Sequence, residues 1–293
     1  MATKASLRTA DPVPAVAEAA ATGETAEIFA DIRRVLGVEV VNLIWRHLAT
    51  IPGALPWAWG MLRPLYVNGS IAAEAAALRA ELDLPPLPPF PAEALVAVDI
   101  VGGDVSSIRN ILAAYDRTNA MAIVALSALL RGLNGEPRAV EAASSWRAEA
   151  SPALLPRIAL PPLPSMAELT PTTAALVRIL NRLGTRQNNP ILASMYRHLA
   201  YWPAYLTLAW TLIAPLDANG SLERLIAATI KRARERSTHL HLPIEIPLAR
   251  PIDRTLRLAI RSAIEPFAGD VIAKMVVICA VLHTATDERS ACG

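Results

Sequence analysis

The feature that most constrains the fold of this chain is an internal repeat. Residues 46–49 read Arg-His-Leu-Ala and recur unchanged at 197–200, an offset of 151 positions. The match continues without a gap through further identical pairs: Pro52 and Pro203, Trp59 and Trp210, Pro64 and Pro215, Asn68 and Asn219. Copies of this length indicate duplication of a small domain rather than a solenoid. We expect two similar units about a pseudo-twofold axis, an intramolecular pseudo-dimer in which Trp59 and Trp210 are equivalent and buried.

The local signals within each copy are helical. Residues 24–36 carry apolar side chains at helical spacing, and Gly37 stands where a helix ends in the left-handed conformation. Asn189 followed by Pro190 predicts a helix start in the second copy. Alternating β patterns are essentially absent, so the sequence predicts an all-α fold.

Later helices are expected at corresponding places in the two copies. Ser70 and Ser221 each follow an Asn-Gly turn and are expected to cap a helix. Long apolar helices, about 105–130 and about 270–282, should close the copies, the second with a shorter helical turn ahead of Pro266.

Prolines divide the chain further. The stretches 84–91 and 242–251 are proline-rich and should be extended. A segment rich in Pro, Ala and Ser separates the copies and is interpreted as a semi-rigid linker. The predicted domains are therefore a first helical repeat at 1–133, a linker at 134–171 and a second helical repeat at 172–293.

Composition excludes several classes of protein. With 53% hydrophobic and 18% charged residues the chain must fold. Its richest apolar runs, 119–130 and 203–216, are shorter than the roughly 20 residues that cross a membrane. The formal charge of +2 and the lack of a dense basic run argue against nucleic acid. No cleavable signal pattern is found at the start, and the two cysteines have no redox or metal spacing, so we expect a cytoplasmic protein.

Several common catalytic motifs are missing from the sequence. It has no Walker or dinucleotide fingerprint and no nucleophile-elbow serine. His239 and His241 give only a weak metal signal, so neither a metal nor another cofactor is expected. His47 and His198 of the repeated elements are interpreted as structural contacts, with a role as bases the alternative.

The segments 40–49 and 195–203 together resemble the paired signature of the group I (D,L-) 2-haloacid dehalogenases. They read Val-Val-Asn-Leu-Ile-Trp-Arg-His-Leu-Ala and Met-Tyr-Arg-His-Leu-Ala-Tyr-Trp-Pro. The likeness extends to chain length, duplication and linker. It implies an active site between the repeats that needs no cofactor, where an aspartate activates water. That water attacks the halogen-bearing carbon directly, with inversion and without a covalent ester.

The chain departs from that family at the catalytic aspartate. The family position aligns with Ser194, and no Asp or Glu occurs from 184 to 200. A hydroxyl without a partner base does not take a proton at neutral pH. The family asparagine that holds the water matches Asn119, with Asn110 as the alternative. The offset of 151 carries Asn119 onto Asp270, which is the candidate for a relocated base, a helix cap being the other interpretation.

The resemblance also implies substrate-binding positions. These are Asn42, Ala193, Ser70, Glu74 and Lys274. Ser70 and Glu74 match a Thr/Glu pair of the family, and Lys274 lies one helical turn after Asp270 and could pair with it. Four side chains are expected to converge on one cleft near the pseudo-twofold: Asn42, Asn119, Ser194 and Asp270.

Two functions remain open. The first is a hydrolase acting on carbon–halide bonds, which converts short 2-haloalkanoic acids to 2-hydroxyalkanoic acids by direct water attack with inversion. The second is a catalytically altered family member that binds a small carboxylate or other ligand between the repeats without dehalogenating it. Halide release separates the two. The expected binding partner is a small haloacid or carboxylate, not nucleic acid or a membrane. A homodimer is a candidate for the oligomeric state.

Overall fold

The computed structural model describes residues 13–135, 158–185, 191–242 and 252–287, and within these ranges the chain forms helices and no strand. The first half contains α1 (Gly23–Leu36), α2 (Leu43–Leu48), α3 (Ala54–Val67), α4 (Ser70–Ala80), α5 (Ala92–Val96) and α6 (Gly102–Leu133). The second contains α7 (Pro171–Arg182), α8 (Ser194–Leu199), α9 (Pro203–Ala218), α10 (Ser221–Ser237), α11 (Arg254–Pro266) and α12 (Ile272–Thr286). A π-helical segment, Phe267–Val271, joins α11 to α12. The predicted all-α class is confirmed.

The core is organised around α6 and α12, which pack against each other more extensively than any other pair of described helices. From Asn119 to Leu129 every residue of α6 is buried, and most of α12 is buried as well. Such helices lack a polar face because they are covered on all sides. α4 and α10 cover α6, and α1 packs on α3.

The stretch Arg254–Thr286 has the length and apolar composition of a membrane span. In the folded chain 78% of its most apolar window is buried against the rest of the protein. Burial against protein accounts for its hydropathy, since α12 is a central core helix.

The helix after the Asn189-Pro190 pair begins later than predicted. Residues 191–193 are not helical, and α8 begins at Ser194. The Asn-Pro pair itself lies outside the described residues, as does the second proline-rich stretch beyond Leu242. The first proline-rich stretch, 84–91, is free of helix as predicted.

The serines at the Asn-Gly turns do not cap their helices. Ser70 and Ser221 are the first helical residues, and their backbone N–H groups donate to Asn68 Oδ1 at 3.0 Å and to Asn219 Oδ1 at 2.9 Å. The asparagine two residues earlier therefore accepts from a backbone N–H of the first helical turn, and no serine hydroxyl caps the helix. The intervening glycine, with a φ of 75° in the second turn, makes this approach feasible.

The two repeated tryptophans differ in environment, and the prediction that both are buried is wrong. Trp59 is 4% exposed and its indole N–H donates to Asp31 at 2.8 Å, whereas Trp210 is 42% exposed. The position 151 residues after Asp31 holds Arg182, which has no acceptor for an indole N–H. The second half therefore lacks the contact that fixes Trp59.

Candidate active site

One cavity of about 90 Å³ lies where the two halves of the chain meet. The first half contributes the segment 38–44 and one face of α6, and the second contributes 191–195 and the start of α12. Leu160, from the stretch that precedes α7, adds an apolar wall. Since a single water needs roughly 10 to 15 Å³ of such space, the cavity has room for several waters or a short organic acid.

Four of the predicted site residues line this cavity: Asn42, Ala193, Ser194 and Asn119. Asn42 immediately precedes α2, Ala193 and Ser194 stand at the start of α8, and Asn119 is a buried residue of α6. The structure thus brings together short segments that are far apart in sequence. Their chemical roles stay predictions.

The segment 38–44, which forms the first-half wall of the cavity, is held in place by Glu18, a residue outside the cavity. The backbone N–H of Val41 donates to Glu18 Oε1 at 2.8 Å, and Glu18 is paired with Arg33 of α1 at 2.5 Å. Upstream, Gly37 ends α1 with a φ of 62° and directs the chain into the wall. The segment between Gly37 and Val41 is therefore fixed at both ends.

The second-half wall is held by Asn181 of α7. Its side-chain amide donates to the carbonyl of Ile191 at 3.1 Å and accepts from the N–H of Ala193 at 3.0 Å. The carbonyl of Asn181 in turn accepts a hydrogen bond from Lys274 Nζ at 2.6 Å. This chain of contacts fixes the backbone that presents Ser194.

Lys274, a predicted substrate-binding residue, supports the second-half wall from outside the cavity. It is fully buried and does not line the cavity. Burial lowers the pKa of its amine to about 8, with Asp270 and Asp217 opposing that shift. Its hydrogen bond goes to Asn181 rather than to Asp270.

Asp270 does not join the other three residues, so the predicted convergence is wrong for this side chain. It accepts a hydrogen bond from Thr185 at 3.0 Å and faces a separate depression that includes Asp217. The reason is helical phase. α6 is continuous through Asn119, but the chain 151 residues later is interrupted by Pro266 and the π-helical segment, which changes the direction of each following side chain. Asp270 lies inside that segment and is not a helix cap either.

Ser70 and Glu74 also lie away from the cavity. Glu74 contacts His239 at 3.1 Å and Arg236 at 3.5 Å, where α4 meets α10. Ser70 begins α4 beside its turn. α4 packs against both α6 and α10, so the structure does not place this predicted substrate-binding pair at the cavity.

His198 and Tyr115 form a hydrogen-bonded pair at the cavity edge. His198 Nε2 donates to the carbonyl of Pro161 at 3.0 Å, which leaves Nδ1 to accept from the Tyr115 hydroxyl at 2.7 Å. Burial lowers the pKa of His198 to about 4 and raises that of Tyr115. His47 likewise contacts a proline carbonyl, that of Pro14, at 2.7 Å. These contacts agree with a structural role for both repeated histidines.

Sequence reasoning overlooked Glu39. This half-buried residue lines the cavity from the first-half wall, and it is the single Asp or Glu among the described residues that do so. The two positions predicted for the acid, Ser194 by the family resemblance and Asp270 by the repeat, both lie in the second half of the chain. Glu39 directly precedes the segment 40–49, which carries the family resemblance, and this position was the signal in the sequence that could have identified it.

Comparison with known proteins agrees with the resemblance in the sequence. No established family model matches the chain. A configuration-inverting 2-haloacid dehalogenase of Alcaligenes xylosoxydans xylosoxydans is 26% identical over 225 residues, 76% of this chain and 75% of that protein. The fold is similar to that of a D-2-haloacid dehalogenase mutant in complex with D-2-CPA, with a TM-score of 0.75, 17% identity and coverage of 94% and 95% of the two chains.

A second solved structure, a D-2-haloacid dehalogenase in complex with L-LA, gives a TM-score of 0.73 at 18% identity and covers 94% of this chain and 96% of the other. The structural likeness establishes the fold, and the sequence match spans three quarters of both proteins. Together with the paired signature around α2 and α8, these matches show that the chain is similar in sequence and in fold to configuration-inverting 2-haloacid dehalogenases.

Proposed function

We propose that this protein hydrolyses short 2-haloalkanoic acids to 2-hydroxyalkanoic acids with inversion, by direct attack of water on the halogen-bearing carbon. The observation that carries the proposal is the small cavity where both halves meet, with Asn119 and Ser194 on its walls. In support, solved structures of the same fold hold small carboxylates, 2-chloropropionate and lactate.

The lining of the cavity suits such a substrate. Neutral donors and acceptors, Asn42, Asn119 and Ser194, are available for the substrate carboxylate and the attacking water. Phe267 and Met275 supply apolar surface for the alkyl group and the departing halide. The limited volume favours acids of a few carbons.

The reaction breaks the carbon–halogen bond as the water oxygen bonds to the same carbon from the opposite side. The halide leaves with the bonding electrons, and the proton of the water passes to a base in the cavity. No oxidant or cofactor is needed for this exchange.

A second candidate function is favoured by one observation, the serine at the position of the family's catalytic aspartate. A protein that kept the cavity but lost its base would bind a small carboxylate without dehalogenating it. Function resides in a few side chains and can change while the fold is kept.

We also propose that the two halves are duplicated copies about a pseudo-twofold axis, with 134–171 as the linker between domains 1–133 and 172–293. The ungapped sequence repeat supports this. In addition, α2 and α8 begin and end at positions related by the same offset of 151, and α4 and α10 begin at positions so related.

The proposed function is tested by halide release from the two enantiomers of 2-chloropropionate, with chiral analysis of the lactate formed. We expect chloride and lactate in equal amounts, with configuration opposite to that of the substrate. Lactate of retained configuration would contradict the proposal. Binding of lactate without any chloride release from either enantiomer would favour the second candidate.

A further inference from the structure

The proposed reaction requires a proton acceptor in the cavity, and the expected position holds Ser194. A general base must lie within hydrogen-bond reach of the water it activates, directly or through one further water. The base of the proposed reaction is therefore one of the groups that line the cavity. Asp270 is excluded by its orientation toward Thr185.

The titratable groups on the described cavity walls are few. Tyr115 and His198 engage each other, and the second ring nitrogen of His198 is bonded to the carbonyl of Pro161. With a pKa lowered to about 4, His198 is a weak proton acceptor, and Tyr115 holds its own proton because burial raises its pKa. Neither is suited to act as the base.

Glu39 remains, and its surroundings suit the role. It lies between two fixed points, since the N–H of Val38 donates to the carbonyl of Arg33 at 3.1 Å and that of Val41 donates to Glu18 at 2.8 Å. A carboxylate on a segment held in this way needs little reorganisation to meet a water. It faces the cavity from the opposite half to Ser194.

We propose that Glu39 is the general base of this protein, a catalytic residue supplied by the first half of the chain in place of the family's aspartate from the second. This inference rests on the proposed function. Glu39 takes one proton from the attacking water as the water oxygen bonds to carbon and the halide departs. The resulting carboxylic acid then returns the proton to solvent, and charge and atoms balance.

The decisive variant is Glu39→Gln, which keeps the size of the side chain and removes its basicity. We expect kcat for 2-chloropropionate to fall by roughly 10²- to 10⁴-fold, the usual contribution of general base catalysis. The acid limb of the kcat/KM pH profile should disappear as well. Lactate, measured by calorimetry, should bind at least as tightly as in the wild type, because a negative charge facing an anion has been removed.

Glu27→Gln is the matched control, an exposed glutamate of α1 that loses the same charge, and it should keep wild-type turnover. Glu39→Asp should retain more turnover than Glu39→Gln, since it keeps a carboxylate. If both Glu39 variants lose turnover and lactate binding together, the residue is structural and the proposal is overturned.

Chloride release by the wild type and by the variants separates the role of Glu39 from the dehalogenase activity itself. If Glu39→Gln keeps the turnover of the wild type, Glu39 is not the base, while the proposed function stands. If turnover is lost in Asp270→Asn and retained in Glu39→Gln, the base is Asp270 instead. Wild-type protein that releases no chloride from either enantiomer would overturn both.

Discussion

Replacement of Asn119 by alanine is expected to lower kcat/KM for 2-chloropropionate by about 100-fold, the typical loss when one polar group at a reacting centre is removed. Asn119 is buried, lines the cavity from α6 and offers both a donor and an acceptor to water or substrate. Its amide contacts Cys279 Sγ at 3.5 Å, a weak acceptor, so the fold should tolerate the change.

Asn110→Ala is the matched control for that experiment. Asn110 lies on the same helix, is exposed and was the other candidate for the family asparagine. Steady-state kinetics on both variants, with circular dichroism to check folding, should show a loss only for Asn119→Ala. A kcat/KM for Asn119→Ala within about threefold of the wild type would remove this residue from the reaction.

Replacement of Arg79 by methionine should lower the free energy of unfolding by about 2 to 4 kcal/mol at neutral pH. Arg79 of α4 pairs with Asp116 of α6 at 2.5 Å, and the Asp116 side chain is only 5% exposed. Without Arg79 the buried carboxylate loses its partner. The lower end of the range is expected because the arginine itself reaches solvent.

The destabilisation should depend on pH with a definite sign. Burial already raises the pKa of Asp116 above its ordinary value, with Arg79 opposing that shift. Removing Arg79 raises this pKa further, so the folded variant takes up a proton more readily than the unfolded chain as the pH falls. The decrease in the free energy of unfolding, relative to the wild type, is therefore greatest at pH 7 and smaller near pH 4.

Urea unfolding at both pH values measures this effect. Arg34→Met is the control, since its ion pair with Asp31 lies on the surface of α1 and should contribute less than about 1 kcal/mol. The double variant Arg79→Met/Asp116→Asn should recover part of the lost stability. An equal loss at pH 7 and pH 4 would show that the buried charge is not its cause.

The sequence predicted features that depend on local signals. Gly37 terminates α1 in the left-handed conformation because its surroundings specify a helix end within a few residues. The paired signature correctly located Asn42 and Ser194 in segments that face one cavity. Positions of this kind follow from short-range pattern and from the repeat.

Two of the errors share a physical cause, which is that the second half of the chain departs from the first. Asn119 was projected onto Asp270, but a proline and a π-helical segment change the direction in which that residue points. Trp210 was expected to be buried like Trp59, but the acceptor for its indole is replaced by Arg182. Glu39 lies in a non-helical segment, where no periodicity reveals which way a side chain faces.

A single turnover in H₂¹⁸O, with the enzyme in excess over 2-chloropropionate, distinguishes direct attack of water from attack by a carboxylate of the protein. Mass spectrometry should find the heavy oxygen in the hydroxyl of the lactate formed in this first turnover, and that lactate should have inverted configuration. Lactate carrying unlabelled oxygen would mean that a carboxylate of the protein, Glu39 first among them, attacked the carbon as a nucleophile, and it would contradict direct attack by water.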